Sequence, residues 1–594
     1  MSSYRVPKRD MQFVLFDLLN YEAHTQQLPG CEDTTRDIVE AIMDEGGKFA
    51  ENIVAPLNAV GDKHGCTWHN GEVTTPPGFK AAYTEFVDAG WPSMVHPVAY
   101  GGQGLPASME TMMSDMMGAA NWAWAMYPGL SHGAMKTLLE HGSEAQRQTY
   151  LTKLISGHWT GTMCLTEAHC GTDLGLLRTK AEPQADGSYT ISGTKIFISA
   201  GEHDMAENIV HIVLARLPNA PEGTKGISLF IVPKFLPDAA GEIGARNAVN
   251  CGSIEHKMGI HGNATCLLNF DGAQGFLIGQ PNRGLNCMFT FMNNARLATA
   301  VQGLIHAEVA FQKSLSYTKD RLQMRALSGV KNPNGPADPI IVHPDVRRML
   351  LTQKAFAEGG RMLAYSLAQL VDIEDHSQDA AAKQEASELL ALLTPIAKAF
   401  MTETGFEAAS LGMQCFGGHG YIQEWGAEQN LRDSRISMLY EGTTGIQALD
   451  LLGRKVLANQ GATLRRFTKI IHTFCKSQEN NAELKEFIGP LAAVNKQWGD
   501  LAIQVGMAAM SNPEEVGAAS VDFLFFSGYV TQAYWWARAV EVSLPKAQDP
   551  FYAAKIKTAR FYYQRLLPRT ASLALTMRAG ALGLLDLDAE HFVF

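Results

Sequence analysis

Residues 186–201 of the chain read DGSYTISGTKIFISAG, and this stretch decides the fold class. Asp186-Gly187 is a dipeptide typical of a tight turn between two antiparallel strands. After the turn, residues 189–194 alternate Tyr, Ile and Gly with the hydroxyl side chains of Thr and Ser, which is the period of a β-strand. Because further strand patterns follow at 225–233 and 264–270, we predict a β-rich domain over residues 161–282.

Helical patterns flank this segment on both sides. Apolar residues recur there at a spacing of three to four, which is typical of amphipathic helices. The predicted helices cover residues 33–58, 108–126, 138–155, 288–317, 346–371 and 380–411. Helices, then strands, then helices indicate an α+β protein with a segregated β domain rather than alternating βαβ units.

The changes from helical to strand patterns and back divide the chain into segments. The C-terminal segment, from about residue 465, is rich in aromatic residues such as Phe526 and Trp536. We interpret these residues as core or subunit contacts rather than as a platform for stacked bases. We predict an N-terminal extension at 1–34, a helical domain at 35–160, the β domain at 161–282, a helical bundle at 283–460 and an additional C-terminal helical domain at 465–594.

The composition excludes several classes of protein. Hydrophobic residues make up 46% and charged residues 18% of the 594 residues, which is enough apolar material for large cores and excludes a mainly disordered chain. The net charge of -11 argues against general nucleic-acid binding. Nine irregularly spaced cysteines do not form a disulfide framework. With no secretory signal and no predicted membrane span, we expect a cytoplasmic protein.

One glycine-rich segment bears on nucleotide binding. Gly417, Gly418 and Gly420 in QCFGGHGY follow a predicted helix instead of a strand. A dinucleotide-binding βαβ unit needs its glycines between a strand and a helix, so a Rossmann domain is not favoured.

The first candidate site is MCLTEAHCGTDLG, residues 163–175, at the junction between the helical and β-rich segments. Its hydroxyls, Gly171 and backbone amides suit the polar edge of a ring-shaped cofactor, although a connecting turn would also explain them. Cys164, His169 and Cys170 lack a second ligand pair at zinc spacing, so we predict no metal.

The second candidate is LYEGTTGIQ, residues 439–447. A carboxylate among apolar residues has a raised pKa and can act as a general base, which makes Glu441 a candidate. Helix capping or a turn would equally explain this stretch. The third candidate comprises Asn293, Arg296 and Arg321, whose alternative role is in structural ion pairs.

Taken together, these segments resemble the acyl-CoA dehydrogenase family over roughly residues 35–460. MCLTEAHCGTDLG is similar to its flavin-binding TEPxxGSD segment and KIFISAG, residues 195–201, to its KxWITNG strand. QCFGGHGY and LYEGTTGIQ resemble its QxxGGxGY and YEGTxxIQ segments. The four motifs occur in the family's order. The length and the added C-terminal block resemble a long bacterial branch of this family.

The resemblance implies a flavoenzyme that converts an acyl-CoA to a trans-2-enoyl-CoA. Glu441 would remove the substrate α-proton, while a hydride would pass from the β-carbon to FAD. The substrate contacts that it implies are Thr172, Asn293, Arg296 and Gly442. The FAD contacts that it implies are Met163, Leu165, Thr166, Thr172, Phe197, Ser199, Arg321, Gln323, Gln414, Gly417, Gly418 and Thr443.

The sequence departs from the family pattern at several of these positions. Phe197 stands where many members have Trp, Gln323 replaces a usual Thr, and Asn293 replaces an Asp whose charge would hold Arg296. A subgroup of the family places its base immediately before this Arg, but Ala295 occupies that position here. Glu441 is therefore the only candidate base that matches a motif.

The resemblance also implies partners. Electrons would pass to an electron-transfer flavoprotein, and the chain would form a homodimer or a dimer of dimers. We expect a short- or medium-chain acyl group, including a propionyl group that carries a thioether. An acyl-CoA oxidase that uses oxygen directly and a non-catalytic helical assembly protein remain the alternatives. Peroxide formation would indicate the oxidase, and a colourless protein the assembly role.

Overall fold

The computed structural model describes residues 4–593 and divides them into two compact units. One unit comprises residues 37–298, and the other comprises residues 4–36 together with 299–593. The α+β fold class with a segregated sheet is confirmed. Within residues 4–593, no helix has an apolar stretch long enough to cross a membrane.

The sheet of the first unit has seven strands, most of them antiparallel. The predicted turn at Asp186-Gly187 is confirmed, since it joins two strands that pair in antiparallel register. The pairing of Ile227–Pro233 with two other strands closes part of the sheet into a ring. The strands are Trp159–Cys164, Lys180–Pro183, Tyr189–Ser199, Asn208–Arg216, Ile227–Pro233, Val249–Ile254 and Thr265–Ile278.

Alternate residues of the Asn208–Arg216 strand enter two different cores. Ile212 and Leu214 pack in the core that includes Leu138 of the preceding helices, whereas Val213 packs with Phe230 on the other face. Both faces of this strand are buried over residues 208–215, and the strand is accordingly apolar except at Asn208 and His211.

The helical part of this unit corrects two predictions. The helix predicted for 138–155 is divided, because helix Trp122–His141 ends within it and Ser143 caps a new helical segment. The helix predicted for 108–126 is interrupted, because Asn121 adopts φ -164° and its side-chain oxygen accepts a hydrogen bond from the amide of Trp124. Asn121 thus caps a new helix. The longer helices are Arg36–Phe49, Leu57–His64, Phe79–Asp88, Ser108–Ala120 and Trp122–His141, and a π-helical turn at Ala50–Val54 extends the first of them.

The second unit is helical. Its helices Pro344–His376 and Ala380–Cys415 confirm the predicted ones, and Pro395 lies inside the latter without ending it. The predicted aromatic core of the C-terminal block is confirmed at Phe526, Trp536 and Tyr562, which are fully buried. The remaining long helices are Gly284–Asp320 (which begins in the first unit), Ala427–Arg435, Ala462–Ser477, Lys485–Ala509, Glu514–Ser543, Pro550–Phe561 and Arg569–Ala579.

A buried charge cluster joins distant parts of this second unit. The Asp10 carboxylate accepts hydrogen bonds from both Arg361 and Lys555, and Arg361 also donates to Glu308 at 3.0 Å. Burial alone would raise the pKa of Asp10, but the two cations outweigh it and lower that pKa to about 2. Residues 4–36 and the C-terminal block are therefore held together by ionised groups.

Asp10→Asn is expected to lower the free energy of unfolding by about 3–5 kcal/mol, because buried Arg361 and Lys555 lose a compensating charge. Urea unfolding followed by circular dichroism would measure this. Lys48→Gln is the control, since the Lys48–Glu45 pair is exposed to solvent and its loss should change the free energy of unfolding much less. A loss for Asp10→Asn no larger than the control value would contradict the prediction.

Candidate active site

A buried ion pair fixes the first motif against the sheet. Lys195 Nζ donates to Glu167 Oε1 and to the carbonyl of Leu165, both at 2.9 Å. The amide of Ile196 donates to the carbonyl of Thr166 at 2.9 Å. The segment 163–175 and the strand Tyr189–Ser199 therefore lie side by side.

The Glu167 carboxylate accepts further hydrogen bonds from the Thr179 hydroxyl at 2.6 Å and from the amides of Thr179 and Arg178. Burial alone would raise the pKa of Glu167, but the charge of Lys195 and these hydrogen bonds lower it to about 2. Glu167 also lies within 4.8 Å of His169 and Cys170, counted between potential ligand atoms. Its oxygens are already engaged by protein donors in this arrangement.

Phe197 occupies a bulge in the neighbouring strand. Ile198 pairs with Cys266 and Lys195 with Leu268, so two residues of one strand oppose only one residue of the other. The bulge holds Phe197 at φ 59° and leaves 59% of its surface exposed. A left-handed non-glycine residue costs about 1–3 kcal/mol, and such residues concentrate at functional sites.

The backbone hydrogen bond from Ile196 to Thr166 brings two of the motif segments of the first unit side by side. Phe197 and Thr172 are exposed, whereas Thr166 and Ser199 are half-buried. Met163 and Leu165, also half-buried, pack against the adjoining core. Asn293 and Arg296 lie on helix Gly284–Asp320, where Arg296 Nη1 donates to Asn293 Oδ1 at 3.4 Å. An amide oxygen therefore contacts Arg296 where the family pattern has a carboxylate.

In the second unit, the Glu441 loop has an unusual backbone. Glu441 adopts φ 57° and Gly442 φ 86°, so two consecutive residues are left-handed. Glu441 is half-buried. Thr443 ends the loop and caps helix Thr444–Leu449, because its hydroxyl accepts a hydrogen bond from the amide of Ile446 at 3.3 Å.

Buried side chains from other parts of this unit hold the loop in place. Lys398 Nζ donates to the carbonyl of Gly442 at 2.6 Å, and Gln447 Nε2 donates to the carbonyl of Glu441 at 2.9 Å. The hydroxyl of Thr444 donates to Glu403 Oε1 at 2.6 Å. Lys398 and Gln447 are fully buried. Sequence reasoning missed both residues, although a lysine inside the apolar run LLTPIAKAF was a signal.

Two further motif segments meet at one end of the second unit. The Tyr317 ring stacks on Phe416 with centroids 4.3 Å apart, and its hydroxyl lies 2.9 Å from His419 Nδ1. This contact places the chain that follows Tyr317 beside the turn that follows helix Ala380–Cys415. The predicted residues there are all exposed: Arg321, Gln323, Gln414, Gly417 and Gly418.

Four family models match the chain in consecutive order. Residues 38–158 match the acyl-CoA dehydrogenase N-terminal domain, 162–273 the middle domain and 282–457 the C-terminal domain of the same family. Residues 467–588 match an acetyl-CoA dehydrogenase C-terminal-like domain. Together these models account for most of the chain.

Relatives of similar length support the same relationship. A 3-methylmercaptopropionyl-CoA dehydrogenase of Ruegeria pomeroyi is 42% identical, with 95% of this chain and 96% of the relative covered. A broad-specificity linear acyl-CoA dehydrogenase of Mycobacterium tuberculosis is 34% identical over 100% of both chains. The crystal structure of a Bacillus anthracis acyl-CoA dehydrogenase complexed with FAD shares the fold, with a TM-score of 0.71, 20% identity and coverage of 94% and 90%.

Glu167→Gln should reduce stability in a pH-dependent way. Because the pKa of Glu167 is lowered to about 2 in the folded chain, its contribution is present above the unfolded pKa near 4.5 and is lost as pH falls toward 2. We expect the variant to be less stable by about 3 kcal/mol at pH 7, and this difference should shrink below about pH 4.5.

Urea unfolding at several pH values would measure this difference. Glu45→Gln, which changes an exposed glutamate, is the control and should show a small difference at every pH. A stability difference between wild type and Glu167→Gln that does not change with pH would contradict the assigned pKa.

Proposed function

The chain belongs to the acyl-CoA dehydrogenase family, and from this premise we propose that it oxidises an acyl-CoA thioester to the trans-2-enoyl-CoA with Glu441 as the base. The observation that carries the proposal is the left-handed backbone of Glu441, which hydrogen bonds from Lys398 and Gln447 hold in place. Such a strained conformation is expected where the Glu441 side chain must keep one orientation for the reaction.

Glu441 would take the proton from the carbon next to the thioester carbonyl. That proton is only weakly acidic, so the carbonyl must be polarised, and the backbone amide of Glu441 is the proposed donor. Gly442 has no side chain and would allow the thioester to lie close to the backbone. A water-poor pocket would strengthen both interactions.

The residues of the site fit FAD as the cofactor. FAD, when bound, supplies the acceptor for the hydride that leaves the β-carbon. An exposed aromatic ring at Phe197, next to the residue whose amide binds the backbone carbonyl of Thr166, suits a flat heteroaromatic ring with polar edges. The exposed Arg321, beside a turn with two glycines, suits a diphosphate. In a homodimer or a dimer of dimers, Arg321 and this turn would bind the FAD of a neighbouring subunit.

We further propose 3-methylmercaptopropionyl-CoA, a short thioether-containing acyl-CoA, as the substrate. The Ruegeria pomeroyi relative, which covers nearly the whole chain, supports this choice. Linear acyl-CoA esters are the competing substrates, because the Mycobacterium tuberculosis relative is also similar over its full length. Asn293 and Arg296 would contact the CoA portion, and an electron-transfer flavoprotein would reoxidise the enzyme.

Glu441→Gln should retain FAD and acyl-CoA binding but lower turnover by about 10²–10⁴-fold, since it removes the base. Loss of flavin absorbance on anaerobic addition of acyl-CoA would measure the chemical step. Glu385→Gln, which changes an exposed glutamate on helix Ala380–Cys415, is the matched control. A Glu441→Gln variant that bleaches at the control rate would overturn the assignment of the base.

The substrate proposal predicts an order of rates in the same assay. 3-Methylmercaptopropionyl-CoA should give a larger kcat/KM than butyryl-, octanoyl- or palmitoyl-CoA. A larger value for octanoyl- or palmitoyl-CoA would refute the short-chain assignment. Stoichiometric hydrogen peroxide in air without an added acceptor would indicate an oxidase and exclude dependence on an electron-transfer flavoprotein.

A further inference from the structure

A chain of buried hydrogen bonds begins at the residue before Glu441. The hydroxyl of Tyr440 donates to Gln302 Oε1 at 2.5 Å, and Gln302 is fully buried on helix Gly284–Asp320. The two residues are 138 positions apart in sequence. None of the motifs named above includes Gln302, and the proposed reaction assigns it no direct role.

The orientation of the Gln302 amide follows from its neighbours. Gln302 Nε2 lies 3.5 Å from the backbone carbonyl of Asp433 and 3.4 Å from His306 Nε2. A backbone carbonyl can only accept, so the amino group must face Asp433. Its oxygen is then left to accept from Tyr440, and its second hydrogen points to His306.

The same reasoning fixes the proton on His306. Asn430 Nδ2 donates to the backbone carbonyl of His306 at 3.0 Å, so Asn430 Oδ1 must be the atom that lies 2.9 Å from His306 Nδ1. His306 therefore carries its proton on Nδ1 and accepts from Gln302 at Nε2. Burial lowers the pKa of His306 to about 4 against the smaller opposing effect of Asn430, which keeps the ring neutral at pH 7.

The two backbone carbonyls, which can only accept, thus fix the donor-to-acceptor direction of the whole series of hydrogen bonds. It runs from Tyr440 through Gln302 and His306 to Asn430. Lys398 and Gln447 hold the loop after the Glu441 α-carbon, whereas this chain holds the residue before it. We propose that Gln302 and His306 are positioning residues that set the direction of Glu441 by fixing Tyr440. The inference rests on the function proposed above and deepens it.

The proposal makes a sharp kinetic prediction. Gln302→Leu removes the acceptor of the Tyr440 hydroxyl, and Tyr440→Phe removes the hydroxyl itself. Each should lower kcat by about tenfold, the effect of one buried hydrogen bond, and leave KM within about twofold. Because Gln302 acts only through the hydroxyl of Tyr440, the double variant should be no slower than the slower single variant.

His306→Leu, which deprives Gln302 of its partner, should also lower kcat more than it changes KM. Ser314→Ala is the matched control. Ser314 lies on the same helix and makes a buried hydrogen bond to Gln353 at 3.0 Å, remote from the loop in sequence and in its contacts. Its kcat should equal that of the wild type, and its flavin content should match that of all variants.

The outcomes separate the two proposals. An active wild type whose Gln302→Leu variant keeps its kcat within twofold would overturn the positioning role alone. Losses in the single variants that multiply in the double variant would do the same, because they would show independent effects. A wild-type enzyme whose flavin is reduced by none of the acyl-CoA esters would contradict the proposed function. The positioning role would then be wrong as well.

Discussion

Two consecutive left-handed residues, Glu441 and Gly442, are the constraint on which the candidate site of the second unit depends. Such a backbone persists only where its surroundings over-determine it. Here the donors that hold the two carbonyls are a buried lysine from helix Ala380–Cys415 and a glutamine from the helix that follows the loop. Side chains of two separate segments therefore fix the backbone that carries the Glu441 carboxylate.

The first unit also holds a left-handed residue in place, in this case with a β-bulge and a buried ion pair. Phe197 is also left-handed, and a bulge turns its ring outward from an otherwise regular strand. The Glu167–Lys195 pair fixes the segment beside it. A buried ion pair of this kind contributes little more net stability than two apolar side chains of similar volume would. It does fix the position of the segment 163–175 relative to the strand. Rigid backbone on either side of the exposed ring is what a precise cofactor site requires.

Much of the fold was predictable because it is encoded locally. Alternation after Asp186-Gly187 predicts a strand, and the strand Tyr189–Ser199 confirms it. The bulge in this strand was not predicted, and it shifts the phase of the buried positions between Lys195 and Ile198. The break at Asn121 was missed because an apolar pattern continues across it, and only the capping role of the Asn side chain reveals it.

The site was predictable only in part. Motifs identify Glu441 and Phe197, whereas Lys398 and Gln302 act across 44 and 138 positions and leave no local pattern. A single sequence does not reveal which distant polar residue will meet which backbone carbonyl. The roles of the motif residues toward substrate and cofactor remain predictions of the resemblance.

The Asp10 cluster has a consequence for how the chain is made. Asp10 leaves the ribosome early, but Lys555 is synthesised 545 residues later. The contiguous unit 37–298 can fold while translation continues. Residues 4–36 belong to the other unit and cannot form their contacts until its later segments have been synthesised. The second unit therefore cannot be completed before the C-terminal block that carries Lys555 has been synthesised.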